Sequence, residues 1–168
     1  MTYPDPEKQA VCSVLLRTPG GPVAAVWGEQ GLLSIRLGEE LATFGKPSPR
    51  FRDFLRTLRH YFRGEKVSFR VRLDLSGMSE FTRRVLDECR KIPYGETATY
   101  TDLAYAIGQP GAARAVGQAM GRNPVPVVIP CHRIVASGGG LGGFGCGLEW
   151  KAYLLGLEGV TFSSRLPT

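Results

Sequence analysis

The stretch 99-TYTDLAYAIGQPGAARAVGQAMG-121 decides how the chain is organised. Thr99 followed three residues on by Asp102 is a capping-box pair, in which a hydroxyl and a carboxylate satisfy amide groups that open a helix. Leu103, Ala104 and Ile107 then share one helical face, and Gly108 supplies the stop. Pro110 starts a second helix, read over Gly111–Gly121. Two short helices on the link Gly108-Gln109-Pro110-Gly111 form a helix-turn-helix. On the second helix Ala112, Ala113, Val116, Ala119 and Met120 share one face, while Arg114, Gly117, Gln118 and Gly121 share the other. One long basic side chain among small neighbours makes a slim outer face, which suits a minor groove only about 6 Å wide. The alternative is close helix packing with Arg114 merely solvated. The face expected at nucleic acid is therefore that of Arg114, Gly117 and Gln118.

Upstream, Ser79 caps a run through Phe81, Val85, Leu86 and Cys89 that ends before Pro93 and Gly95. Before Ser79 the pattern differs. Ala10–Arg17 and Pro22–Leu37 read as strands, the second broken at the turn signal Gly28-Glu29-Gln30-Gly31. Ser48–Phe62 places Phe51, Phe54, Leu55, Leu58, Tyr61 and Phe62 at helical spacing, with Arg50, Arg52, Arg56, Arg59 and Arg63 on the remaining faces. Val67–Leu75 alternates strictly and reads as a half-buried strand. The expected class is therefore α+β: an antiparallel sheet with a helix over residues 1–77, then a mostly helical domain over 78–168, linked at Ser76-Gly77.

The chain of 168 residues is 43% hydrophobic and 21% charged, which is globular and not disordered composition. Its formal net charge of +6 favours an anionic partner such as nucleic acid. Residues 1–78 carry 12 basic and 8 acidic groups, so no basic tail accounts for the excess. The start MTYPDPEKQA reads as neither signal peptide nor membrane span, and the expectation is a cytoplasmic, nucleoid-associated protein. The four cysteines, Cys12, Cys89, Cys131 and Cys146, show no CxxC pair and read as free thiols.

Asn123-Pro-Val-Pro-Val-Val-Ile-Pro-Cys-His-Arg-Ile-Val135 carries the chemistry. Three prolines around an apolar run exclude a central strand or a helix, so the backbone is expected to be fixed and extended. Cys131 beside a histidine and an arginine suggests a thiolate of lowered pKa, a structural buried cysteine being the other reading. Neighbouring side chains of an extended segment point to opposite sides, so Cys131 and His132 are not expected to touch directly.

NPVPVVIPCHRIV closely resembles the active-site signature of the O6-alkylguanine-DNA alkyltransferases, the methylated-DNA–protein-cysteine methyltransferases. IPYGETATYTDLA, GAARAVGQAMGRNP and the closing GLEWKAYLLGLEG resemble that family's flanking segments, in order, so the likeness covers residues 79–159. The resemblance implies that Cys131 is the alkyl acceptor, His132 a base acting through water, and Glu158 the carboxylate that orients it. It makes Asn123 a brace of the turn between recognition helix and active site. Tyr100 helps rotate the phosphate and contacts the flipped base. The same resemblance implies that Arg114 fills the gap left in the stack, with Ala112, Ala113, Ala115, Gly117 and Gln118 of its helix along the DNA, and that Lys151 with Phe144, Gly145 and Ile134 forms the pocket over the base. The implied partner is double-stranded DNA containing O6-alkylguanine, or O4-methylthymine, bound by a monomer that needs no cofactor and no metal.

The chemistry is consistent with these roles. Transfer from an aryl ether oxygen is an in-line displacement at carbon, for which a sulfur nucleophile is well suited. A guanine anion leaves, and donors near it lower the barrier. The base must be flipped out first, at a few kcal/mol. The thioether formed is permanent, so one molecule works once. Phe144 and Gly145 replace a tyrosine and a serine of some relatives, Cys146 stands where glycine is expected, and Cys12 and His60 lack partners for a structural zinc. A Cys-His hydrolase would need direct contact within the pair and an oxyanion hole. A lesion-binding module of the same fold would lack the acceptor cysteine, and a helix-turn-helix regulator would want a sensor domain.

Overall fold

The computed structural model describes residues 9–161, and these divide into two compact units. The first takes the described residues up to Met78 together with Pro124–Val128; the second takes Ser79–Asn123 and the described residues from Ile129 onward.

In the first unit β1 (Ala10–Thr18), β2 (Gly21–Gly28) and β3 (Gly31–Leu37) form an antiparallel sheet in that order. Both hairpins are tight, and the second turns where Gly28-Glu-Gln-Gly31 requires it. Val23, Ala24, Ala25 and Val26 of the central strand are all buried. Successive residues of a strand face opposite sides, so both faces of β2 are covered there. α1 (Pro49–Phe62) begins at Ser48, whose Oγ accepts from the Phe51 N–H at 3.2 Å. It buries all six expected apolar side chains and leaves its arginines exposed. Trp27 of β2 stacks on Phe51 with ring centroids 4.9 Å apart.

The strand expected over Val67–Leu75 does not form as such. Its alternation of half-buried and exposed side chains is present, but it joins β3 only through an isolated parallel bridge between Leu32 and Leu73. The Leu32 N–H donates to the Arg72 carbonyl at 2.9 Å and the Asp74 N–H to the Leu32 carbonyl at 3.0 Å. Side-chain burial is what orders this segment: Phe69 packs on Phe54 and Tyr61 at 5.9 and 5.8 Å. Pro124–Val128 belongs to this unit through the Ile35 N–H, which donates to the Pro124 carbonyl at 2.9 Å. Val127 takes a left-handed φ of 75°, uncommon for a β-branched residue, so the apolar run bends instead of running straight.

In the second unit α2 (Glu80–Cys89), α3 (Tyr100–Ala106), α4 (Ala113–Met120) and α5 (Leu148–Leu157) surround Val85, Leu86, Leu103, Val116, Leu154 and Leu155. Ser79 caps α2. The Thr99–Asp102 capping box opens α3 as read from sequence, with both reciprocal bonds made. Gly108, at φ 72°, ends that helical stretch. The second helix starts later than expected: Ala112 is its N-cap and offers no side-chain oxygen, so α4 begins at Ala113 rather than at Pro110. A two-residue parallel pair, β4 (Ala98–Thr99) with β5 (Ile134–Val135), has no counterpart in the sequence reading. It is too short to show a period, yet it sets the start of α3 beside the residues that follow Cys131.

Candidate active site

Cys131 opens a single 3-10 turn, Cys131–Arg133, where an extended backbone was expected. Pro130, with φ −81° and ψ 62°, is the centre of an inverse γ-turn that returns the Cys131 N–H to the Ile129 carbonyl at 2.8 Å. The Arg133 N–H then reaches the Pro130 carbonyl at 2.9 Å. Proline's fixed φ allows this bend as readily as an extended path. At three residues per turn, successive side chains still diverge by about 120°, so Cys131 and His132 point apart for a different reason than supposed.

Asn123 holds the thiol. Its Nδ2 donates to the Ile129 carbonyl at 2.8 Å and to Cys131 Sγ at 3.0 Å. One amide thereby ties the end of α4's turn to the nucleophile.

His132 is fully buried, and its Nε2 lies 2.7 Å from Glu158 Oε1. Glu158 gathers more than the histidine. Arg133 grips it with two bonds, Nε to Oε2 at 2.8 Å and Nη2 to Oε1 at 2.9 Å, and the Gly95 N–H donates to Oε2 at 3.1 Å. The remaining Arg133 donor, Nη1, reaches the Ile92 carbonyl at 2.6 Å, and the guanidinium lies 5.9 Å from the centre of the Tyr94 ring. From sequence Arg133 counts only as a charge beside Cys131, and its pairing with Glu158 was missed. The available signal was an arginine two residues beyond Cys131, since a buried carboxylate needs a cation. Gly95 was noted only as a helix stop.

Burial around Cys131 works against the lowered thiol pKa suggested by the sequence. Burial pushes the Cys131 thiol up to about 12, against the pull of the Asn123 amide and of the Lys151 ammonium; Cys146 nearby adds to the rise. Burial also holds His132 below the ordinary imidazole value, although Glu158 opposes that shift. Both shifts favour the uncharged form of each group.

Tyr100 and Lys151 meet on one loop. The Tyr100 hydroxyl donates to the Gly143 carbonyl at 3.3 Å, and Lys151 Nζ donates to the same carbonyl at 3.1 Å. Lys151 also donates to the Ile134 carbonyl. Burial lowers the lysine to about 8. Lys151 and Ile134, expected to line an open pocket, are both fully buried. They support the loop from beneath. Phe144 is half-buried, and Gly145 is exposed at the far side, 4.0 Å from the Gly121 carbonyl by the position a Cβ would take. Gly142 was missed: at φ 70° a side chain there is strained, and a Cβ would come within 3.2 Å of the Tyr100 ring. The ring's other neighbour is Gly117 of α4, where a Cβ would lie 3.7 Å away. On α4 itself Arg114 and Gln118 are exposed, Ala112, Ala113, Ala115 and Gly117 are half-buried, and Val116, Ala119 and Met120 are buried.

A thiol on a bent prolyl turn, backed by a buried histidine and glutamate in the same unit as a helix-turn-helix, defines a protein that joins a cysteine–histidine–glutamate site to a scaffold of DNA-binding type. Residues 80–160 match the family model for the DNA-binding domain of 6-O-methylguanine DNA methyltransferase. A methylated-DNA–protein-cysteine methyltransferase of Methanosarcina acetivorans is 39% identical over 86% of this chain and 96% of its own length. One of Mycolicibacterium paratuberculosis is 54% identical over 98 residues, 58% of this chain and 59% of its own length. The solved Mycobacterium tuberculosis OGT, in complex with DNA, superposes with a TM-score of 0.75 at 40% identity, covering 87% of this chain and 91% of that one. The chain belongs to the methylated-DNA–protein-cysteine methyltransferase family.

Proposed function

We propose that this chain repairs DNA by direct reversal, taking the alkyl group from O6 of guanine onto Cys131 once and irreversibly. The observation that carries this reading is the Asn123–Cys131 bond at 3.0 Å with the buried His132–Glu158 pair behind it. Cys131 Sγ attacks the alkyl carbon, the sulfur–carbon bond forms, and the carbon–oxygen bond breaks with its electrons passing to the base. The thiol proton moves through a bridging water to His132, and Glu158 stabilises the imidazolium that results. The Tyr100 hydroxyl and the backbone of the loop carrying Phe144 and Gly145 supply donors to the leaving base. Lys151 and Ile134 keep that loop in place. Arg114, exposed on α4, enters the stack vacated by the flipped base, with Ala112, Ala113, Ala115, Gly117 and Gln118 along the groove.

In the same reading residues 1–77 form the amino-terminal domain and 78–168 the alkyltransferase domain. Among the described residues no helix is long and apolar enough to cross a membrane, and a DNA substrate puts the protein in the cytoplasm, at the nucleoid. Intact-protein mass after mixing with a duplex containing O6-methylguanine should show a gain of one CH2, mapped to Cys131, and no second equivalent consumed. Continued turnover, or modification at another residue, would sink the assignment.

The pH dependence follows from the burial of both groups. His132 stays neutral, and able to accept a proton, below the ordinary imidazole value. The transfer rate should hold steady as pH falls past about 6.5 and decline only further down. Stability moves with it: the unfolded histidine binds a proton near 6.5 when the folded one does not, so acid in that window favours unfolding. Iodoacetamide labelling of Cys131 should reach its midpoint well above that of an ordinary thiol, because burial raises the group to about 12. A midpoint at or below the ordinary value would mean that a preformed thiolate does the work.

A further inference from the structure

A cleft of about 830 Å³ lies wholly within the first unit, and the mechanism makes no use of it. Lys46, Arg50, Arg70 and Arg72 line it, against Glu29 and Asp53, so its walls carry an excess of two positive charges. Asp53 is already engaged by Arg56 at 2.7 Å, and Arg72 donates only to the neutral Gln30 Oε1, at 3.1 Å. Among the described residues Lys46, Arg50 and Arg70 form no ion pair, although all three are exposed. Elsewhere on this unit Arg17, Arg36 and Arg56 each have a carboxylate. Trp27 and Phe69, both half-buried, line the same cleft and continue into the aromatic cluster with Phe51 and Phe54.

We propose that this cleft is a second nucleic-acid site, which takes unpaired nucleotides of single-stranded DNA. Unsatisfied cations beside aromatic side chains are the pairing that binds single strands: phosphates meet the cations and bases stack on the rings. A duplex offers its phosphates but keeps its bases out of reach of Trp27 and Phe69. The volume falls within the range that encloses a small organic ligand, about 300–1,000 Å³, which suits a nucleotide or two. The choice of DNA over another polyanion rests on the function proposed above. A second hold on the same strand would raise the local concentration of DNA at the first site.

The test uses the full chain carrying Trp150→Phe, which leaves Trp27 as the tryptophan reporter. A short oligothymidylate should quench its fluorescence, with an affinity that falls as salt rises. Arg50→Ser with Arg70→Ser should weaken that binding about tenfold or more and lower its salt slope by about 1.4, at about 0.7 per cation on a single strand. Neither residue belongs to the alkyl-transfer machinery, so transfer to Cys131 from free O6-benzylguanine should be unchanged in the double variant. Three outcomes would overturn the proposal: no quenching at saturation, quenching untouched by the double substitution, or equal affinity for inorganic polyphosphate. The quench is read independently of Cys131 mass, so failure of the cleft and failure of the repair assignment are separate results.

Discussion

Glu158→Ala is expected to cost about 3–5 kcal/mol of folding stability, the penalty for removing one partner of a buried ion pair. The carboxylate is fully buried and receives Arg133 twice, the Gly95 N–H and His132. Alanine leaves a guanidinium, an amide and an imidazole without their acceptor in a space closed to water. Alkyl transfer should vanish as well, because nothing then favours the imidazolium. Glu158→Gln separates the two effects. An amide keeps one oxygen for Gly95 or Arg133 and so retains more stability, but it lacks the charge that supports proton transfer. Urea denaturation and the pH profile of Cys131 labelling read these separately. A Glu158→Ala protein as stable as the parent would show that the cluster does not hold the site together.

Arg114→Ala should slow transfer from duplex DNA about thirtyfold, equivalent to about 2 kcal/mol, while transfer from free O6-benzylguanine stays as it was. The basis is geometric: Arg114 is exposed on α4 while Val116, Ala119 and Met120 on its inner face are buried. Only the duplex requires a stack to be held open, so only that substrate should feel the loss. Arg114→Lys should restore part of the rate, since an ammonium fills the gap less well than a planar guanidinium. Single-turnover kinetics on both substrates decide it. Equal slowing of the two would move Arg114 from the stack to the chemistry or to the fold.

Much of the architecture could be read directly because it rests on local rules. The hairpin at Gly28-Glu-Gln-Gly31, the Ser79 cap, the Thr99–Asp102 box and the apolar face of α1 each follow from a few neighbouring residues. The misreadings share a cause too. Val67–Leu75 has the period of a strand, but among the described residues its pairing with β3 is a single bridge, Leu32 with Leu73. Period reports which side chains are buried; it does not report backbone pairing. Pro130 was taken to enforce extension, though its permitted φ also admits the γ-turn that places Cys131 on a 3-10 turn.

The amino-acid sequence by itself determined the family to which the chain belongs and the helix that carries Arg114, and it singled out Cys131 and His132 as the candidates for nucleophile and base, since each is written in a contiguous motif. Only the tertiary structure decided what surrounds these side chains. Burial raises the Cys131 thiol against the pull of the Asn123 amide, and burial is a sum over residues distant in the chain. Arg133 became the second support of Glu158, and Lys151 a brace for Ile134 and Gly143, for the same reason. A long charged side chain takes its meaning from the partner that folding brings within about 3 Å of it, and sequence spacing carries no such distance.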